Sequence, residues 1–159
     1  MINTAKCLKV GFEAYGISEA DVEYIFGEDG KPYTKGLSNI CFSVAHSDNI
    51  SLCAFYENEI GIDCEKATRR ISNGVIRRWF SKGEQAAFEG NKLLLWVAKE
   101  AASKYTGKGF AKGRKETEIP YFEDELSLDG LWLKRLEIGG ALTVICAQEK
   151  DGISITEVM

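Results

Sequence analysis

The chain has 159 residues, 45% of them hydrophobic and 28% charged, a balance that supports one soluble domain with a substantial core. Its net charge of −4 excludes the uniformly basic body of a general nucleic-acid binder, and its longest apolar run, 93–98, is too short to span a bilayer. One histidine, His46, rules out a His-rich metal cage, and five cysteines without a CxxC pair exclude a thiolate zinc site.

Scattered, odd-numbered cysteines fit reduced thiols, and the amino-terminal residues lack the basic-then-apolar layout of a secretory leader, so a cytoplasmic protein is expected. Leu8, Phe12 and Tyr15 recur at helical spacing and predict a helix in the first fifteen residues. Val22, Tyr24 and Phe26 then alternate with polar neighbours as a strand does, and 27–36, which contains Lys31-Pro32, reads as a loop. The β-rich runs 40–46 and 50–56 flank Ser47-Asp48-Asn49, and with a third run at 59–65 they predict an antiparallel meander.

From Ser72 the pattern turns helical. Ser81 and Glu84 have capping-box spacing, and 91–105 reads as a strong helix. Beyond the glycine-bearing stretch 107–113, strands are expected at 131–138, 141–147 and 153–158, with Gly139-Gly140 as a hairpin turn. Strands, then helices, then strands predict a single α+β domain over 1–159, with helices packed on one face of a mainly antiparallel sheet.

Within Gly61-Ile62-Asp63-Cys64-Glu65, strand alternation puts Asp63 and Glu65 on one side. Two same-side carboxylates suit a hard cation that keeps positions open for phosphates, although Asp-x-Glu also occurs on ordinary solvated strand edges. On the 91–105 helix, Leu93, Trp96, Val97, Glu100 and Lys104 share a face, so Glu100 and Lys104 are expected on the core side and in need of partners. Their mutual pairing four residues apart is the plainer explanation, but it does not account for their alignment with Trp96. His46 and Lys31 could each donate to an anion, and Arg69, Arg70, Arg77, Arg78 and Lys82, within fourteen positions, could present a basic surface to an acidic partner.

Six fragments occur in one order: Gly30-Lys31-Pro32, Ser43-Val44-Ala45-His46-Ser47, Gly61 to Lys66, Trp79-Phe80-Ser81-Lys82-Gly83-Glu84, Trp96 to Lys104, and Gly107-Lys108-Gly109. Together the ordered set resembles the phosphopantetheinyl transferase family, especially the monomeric type that serves peptide and polyketide synthetases. The resemblance implies a Mg²⁺-dependent enzyme that moves the 4′-phosphopantetheine of coenzyme A onto a serine of an acyl or peptidyl carrier protein and releases 3′,5′-ADP. By the same resemblance, Asp63, Glu65 and Glu100 are the metal ligands, and Glu100, with Glu84 as a second candidate, receives the serine proton. Lys104 neutralises the pyrophosphate, while Lys31, His46 and Gly107 contact coenzyme A.

The carrier is expected against the region of Arg77, Arg78, Trp79 and Phe80, with charge steering and apolar contact holding. Two departures from the family stand out. Ala45 occupies a position where serine is common, and relatives of the monomeric type consist of two similar halves, of which much of the first is absent here. Homo-oligomerisation is expected from that gap, and a degenerate relative that binds coenzyme A or a carrier without turnover is the alternative reading.

Overall fold

In a computed structural model that describes residues 2–28, 30–108, 118–128 and 130–158, the first helix (α1) runs Ile2–Ala14 and buries Cys7 and Phe12 completely. Gly11 permits the close approach of α1, since a Cβ there would fall 2.0 Å from the Phe55 ring. A 3₁₀ turn at Glu19–Asp21 leads to β1 (Tyr24–Phe26), which pairs antiparallel with β2 (Pro32–Thr34). The expected loop over 27–36 therefore contains a strand. Its Pro32 lacks an N–H donor but stands at the first position of a short two-stranded ribbon, where the loss is tolerated.

The predicted hairpin forms from β3 (Cys41–Ser47) and β4 (Ile50–Tyr56). The expected meander stops there. A third run, β5 (Ile60–Lys66), pairs with β8 (Ala141–Ala147), because the second edge of β4 is taken by β9 (Ser154–Val158). With β7 (Leu131–Ile138) and β6 (Glu125–Leu128), β5 and β8 make a four-stranded antiparallel sheet ordered β5-β8-β7-β6.

Between the sheets in sequence lie α2 (Asn73–Trp79), α3 (Lys82–Ala87) and α4 (Lys92–Thr106). Ser72 caps α2 by accepting from the Val75 N–H at 3.3 Å, and the Ser81–Glu84 capping box opens α3 as its spacing predicts. Gly107 closes α4 in the left-handed conformation at φ 63° and donates its N–H to Ser103. Residues 109–117, including Gly109 of the glycine motif, lie outside the described residues.

The α+β class holds, while the single sheet with helices on one face gives way to two larger sheets, each with its own helix. α1 covers β4 and β9, and α4 covers β5 and β8. Their inner faces share a core that includes Leu52, Ile62, Trp132 and Ile145. At the join, β3 and β5 belong to different sheets yet run side by side and parallel: the Ile62 N–H donates to Ser43 Oγ at 3.1 Å and the Lys66 N–H to Ser47 Oγ at 3.0 Å. Among the described residues, no helix is long and apolar enough to cross a membrane.

Candidate active site

Small residues bring α4 down onto β5. A Cβ at Gly61 would lie 2.0 Å from the Ala101 carbonyl oxygen and 2.5 Å from the Tyr105 nitrogen, so only glycine fits at this crossing. The most deeply buried stripe of α4 is Leu94, Leu95, Ala98 and Ala101. The face expected to point at the core is instead its border: Val97 is buried, but Leu93, Trp96, Glu100 and Lys104 are half-buried. Alanines can lie flat against the sheet, whereas long polar chains keep their stems on the apolar surface and carry their charged ends to its rim.

At that rim Lys104 Nζ lies 2.8 Å from Asp63 Oδ1 and donates to the carbonyls of Val44 and Ile62, each at 3.0 Å. All three ammonium donors are thereby used, two of them bridging β3 and β5. Burial pushes the Asp63 carboxyl above the usual carboxylate range, outweighing the lowering by Lys104, by a hydrogen bond from the Cys64 N–H and by Arg69. The neighbouring Cys64 thiol is pushed up to about 12, first by burial and then by the Asp63 charge.

A cavity of about 240 Å³ opens beside this pair and is lined by Lys31, Val44, Glu100, Ser103, Lys104 and Gly107. Lys31 is far from an ordinary surface lysine: its side chain is 9% exposed, its ammonium pairs with Glu59, and it donates to the carbonyls of Ile60 at 3.2 Å and Tyr105 at 3.4 Å. At Gly107 a Cβ would meet Tyr33 Oη at 2.7 Å, so contact as well as backbone conformation asks for glycine. Four expected residues, Lys31, Glu100, Lys104 and Gly107, thus share one cavity despite their separation in sequence.

Others stand apart. His46 is exposed on β3, two residues beyond Val44, and does not line the cavity. Glu65 is held by Arg69 in an ion pair. Among the described residues no three His, Cys, Asp or Glu side chains stand close enough together to hold a metal ion. Their chemistry nevertheless suits a hard cation: Asp63 and Glu65 are oxygen donors on the β5 face turned to α4, and Glu100 lines the cavity beside Asp63's partner Lys104.

Glu84, the second candidate base, stands outside the cavity of Lys31 and Lys104. It is 2% exposed, its Oε1 lies 2.7 Å from Lys99 Nζ and accepts from the Ile119 N–H at 3.0 Å, and its Oε2 accepts from the Ser81 N–H at 2.8 Å. A carboxylate so engaged joins α3 to α4, at the base of a pocket it lines with Arg78, Trp79 and Ser81. Phe80, at 5% exposure, packs into the core with Phe88 and Leu94 and also lines a pocket with Arg77, Arg78 and Trp79. Arg77 and Arg78 are exposed as expected, and the Arg78 guanidinium lies 4.6 Å from the centre of the half-buried Trp79 ring.

Sequence reasoning passed over Lys99, whose one signal was a lysine set inside an otherwise apolar helical stripe. It gave no role to Ser43 and Ser47, quoted only as part of a family fragment, because their role depends on which strands lie side by side.

The profile of the 4′-phosphopantetheinyl transferase superfamily matches residues 59–131, the stretch that carries Asp63, Glu65, Glu100 and Lys104. Over 153 residues the chain is 33% identical to the 4′-phosphopantetheinyl transferase Sfp of Bacillus subtilis (strain 168), covering 86% of the chain and 68% of that relative. It is also 33% identical over 120 residues to the 4′-phosphopantetheinyl transferase ffp of Bacillus subtilis, covering 70% of the chain and 53% of that protein. With the 4′-phosphopantetheinyl transferase HetI of Nostoc sp. the identity is 31% over 118 residues, covering 65% of the chain and 49% of the relative. The chain spans about half to two thirds of the length of these relatives. Profile, relatives and the order of the site fragments agree, and the chain belongs to the 4′-phosphopantetheinyl transferase superfamily.

Proposed function

We propose that this chain transfers the 4′-phosphopantetheine group of coenzyme A to a serine hydroxyl of an acyl or peptidyl carrier protein. The observation that carries the reading is the Asp63–Lys104 pair at 2.8 Å, set at the rim of a cavity shared with Lys31, Glu100 and Gly107. In this reaction the serine oxygen forms a bond to the phosphorus that bears the pantetheine, the pyrophosphate P–O bond breaks, and 3′,5′-ADP departs. Such a transfer depends on positioning and on neutralising oxygen charge, and it needs no covalent enzyme nucleophile.

Asp63, Glu65 and Glu100 would hold a Mg²⁺ ion, which when bound supplies Lewis-acid neutralisation of pyrophosphate oxygens. Lys104 balances charge on the departing side by turning at least one donor from a strand carbonyl to phosphate. Glu100 takes the serine proton, directly or through a water. Lys31, which lines the cavity, and His46, on the exposed continuation of β3, contact the 3′-phosphate of coenzyme A. Carrier docking falls to the exposed Arg77 and Arg78 with Trp79, where cations lead to an aromatic anchor.

The direct test incubates the full chain with Mg²⁺, coenzyme A and a series of apo carrier domains, followed by intact-mass measurement of each carrier. Addition of one phosphopantetheine to the carrier serine is expected. Carriers left unmodified across the series, with coenzyme A still bound in calorimetry, would replace the transferase by a binding relative.

A further inference from the structure

The edge of β5 that faces β3 is served by side chains where a strand ladder would normally run. The Ile62 N–H goes to Ser43 Oγ at 3.1 Å and the Lys66 N–H to Ser47 Oγ at 3.0 Å. On the same edge the Ile62 carbonyl takes Lys104, which also takes the Val44 carbonyl from the β3 side. Every polar group named here is paired, and every pairing runs through a side chain.

Two strands joined directly would lie about 4.7–4.9 Å apart, and their carbonyls would bond to N–H groups with no room for an ammonium between them. Here a hydroxymethyl group spaces them. Ser43 is 4% exposed and Ser47 9%, and Ala45 between them, 2% exposed, shares a core with Ile62 and Cys64 of β5. The Ser-x-Ala-x-Ser run therefore turns three small side chains toward β5, long enough at its two ends to reach an amide and short enough in the middle to stay clear. Lys104 enters the resulting slot between the two strands.

We propose that Ser43 and Ser47 are positioning residues: their hydroxyls set the β3–β5 gap, and that gap holds the Lys104 ammonium against the Asp63 carboxylate. The inference rests on the reading that Asp63 and Lys104 belong to the working site. Removing both hydroxyls leaves the Ile62 and Lys66 amides without acceptors, and the strands either close on each other or part to admit water. Either movement takes Lys104 off a carbonyl and shifts it relative to Asp63.

The test is the full chain carrying Ser43→Ala and Ser47→Ala, labelled with ¹⁵N and observed through its lysine ammonium resonances, which persist only where N–H groups are bonded and shielded from exchange. The Lys99 ammonium, buried against Glu84, is an internal control for the fold. In the double variant the Lys104 resonance is expected to vanish while that of Lys99 stays. Carrier modification should fall by on the order of 10- to 100-fold in kcat, with a smaller change in KM for coenzyme A. Ser43→Thr with Ser47→Thr, which keeps both hydroxyls, should restore the Lys104 resonance.

An unchanged Lys104 resonance and unchanged turnover in the alanine variant, with Lys99 intact, would overturn the inference. Should the double variant lose Lys99 as well, Ser47→Ala alone, at the more open end of the seam, carries the same comparison. Wild-type protein that modifies no carrier would remove the transferase reading, and the ammonium spectrum would still decide whether the serines hold Lys104.

Discussion

Lys99→Met should destabilise this fold strongly with little change in its packing. The Lys99 and Glu84 side chains are 3% and 2% exposed and lie 2.7 Å apart. Methionine nearly preserves the volume and shape of the lysine stem, so the packing change is small and the variant isolates the charge. What remains is a buried carboxylate facing the Ser81 and Ile119 amides but no cation. Removing one partner of a buried pair costs about 3–5 kcal/mol, and at about 2–4 °C per kcal/mol for a domain of this size the melting temperature should fall by roughly 6–20 °C. Glu84→Gln combined with Lys99→Met should recover much of that loss, because the amide keeps one oxygen acceptor and carries no charge. Urea unfolding of the wild type, both single variants and the double variant closes the thermodynamic cycle. A Lys99→Met loss below about 1 kcal/mol, or a double variant as unstable as the sum of the singles, would refute the reasoning that the pair is mutually dependent.

Three further outcomes follow from the site. Burial raises the Asp63 carboxyl, so the folded chain binds that proton more tightly than the unfolded chain. Its contribution to stability is therefore present at low pH and lost as pH rises through the folded-state value. Asp63→Asn should thus melt above wild type at pH 8, with the gain shrinking toward pH 4, while carrier modification is lost; a variant less stable than wild type at pH 8 would contradict this. Gly61→Ala forces a Cβ to within 2.0 Å of the Ala101 carbonyl oxygen, so α4 must lift from β5. A loss of about 1–3 kcal/mol in urea unfolding is expected, together with an activity loss larger than the stability change explains. Cys64, pushed up to about 12, has a thiolate fraction on the order of one in ten thousand at pH 8. Iodoacetamide followed by peptide mass mapping should leave it unlabelled in the native chain.

The elements with strong local signatures were legible from residues alone. The capping box at Ser81 and Glu84, the helix across 91–105 and the Gly139-Gly140 hairpin all form as their patterns predict, because caps, periodicity and turns are short-range physics. Strand pairing was not legible in the same way. The run at 60–66 has the same alternation whether it joins β4 or β8, and the choice rests on β9 reaching the β4 edge from about a hundred residues away. Pro32 concealed β2 for a different reason, since a missing donor does no harm at the start of an edge strand.

At the site, residue types announced the chemistry and tertiary packing decided the distances. Lys31, Glu100, Lys104 and Gly107 line one cavity, whereas Glu84 and Phe80 are buried beside a different one with Arg77, Arg78 and Trp79. The serines of β3 illustrate the remaining gap: nothing about Ser-x-Ala-x-Ser is distinctive until a parallel neighbour appears beside it.

The reach of Lys31 has a consequence for shortened forms of the protein. Its ammonium clasps Glu59, the Ile60 carbonyl and the Tyr105 carbonyl at the end of α4, so the β1–β2 ribbon is bolted to the middle of the chain at this point. Deletions from the amino terminus should consequently cost in two stages, the first when loss of α1 uncovers Phe42, Cys53 and Phe55. Once the cut passes Lys31, the cavity loses a wall and α4 loses a cation at its carbonyl end in the same stroke.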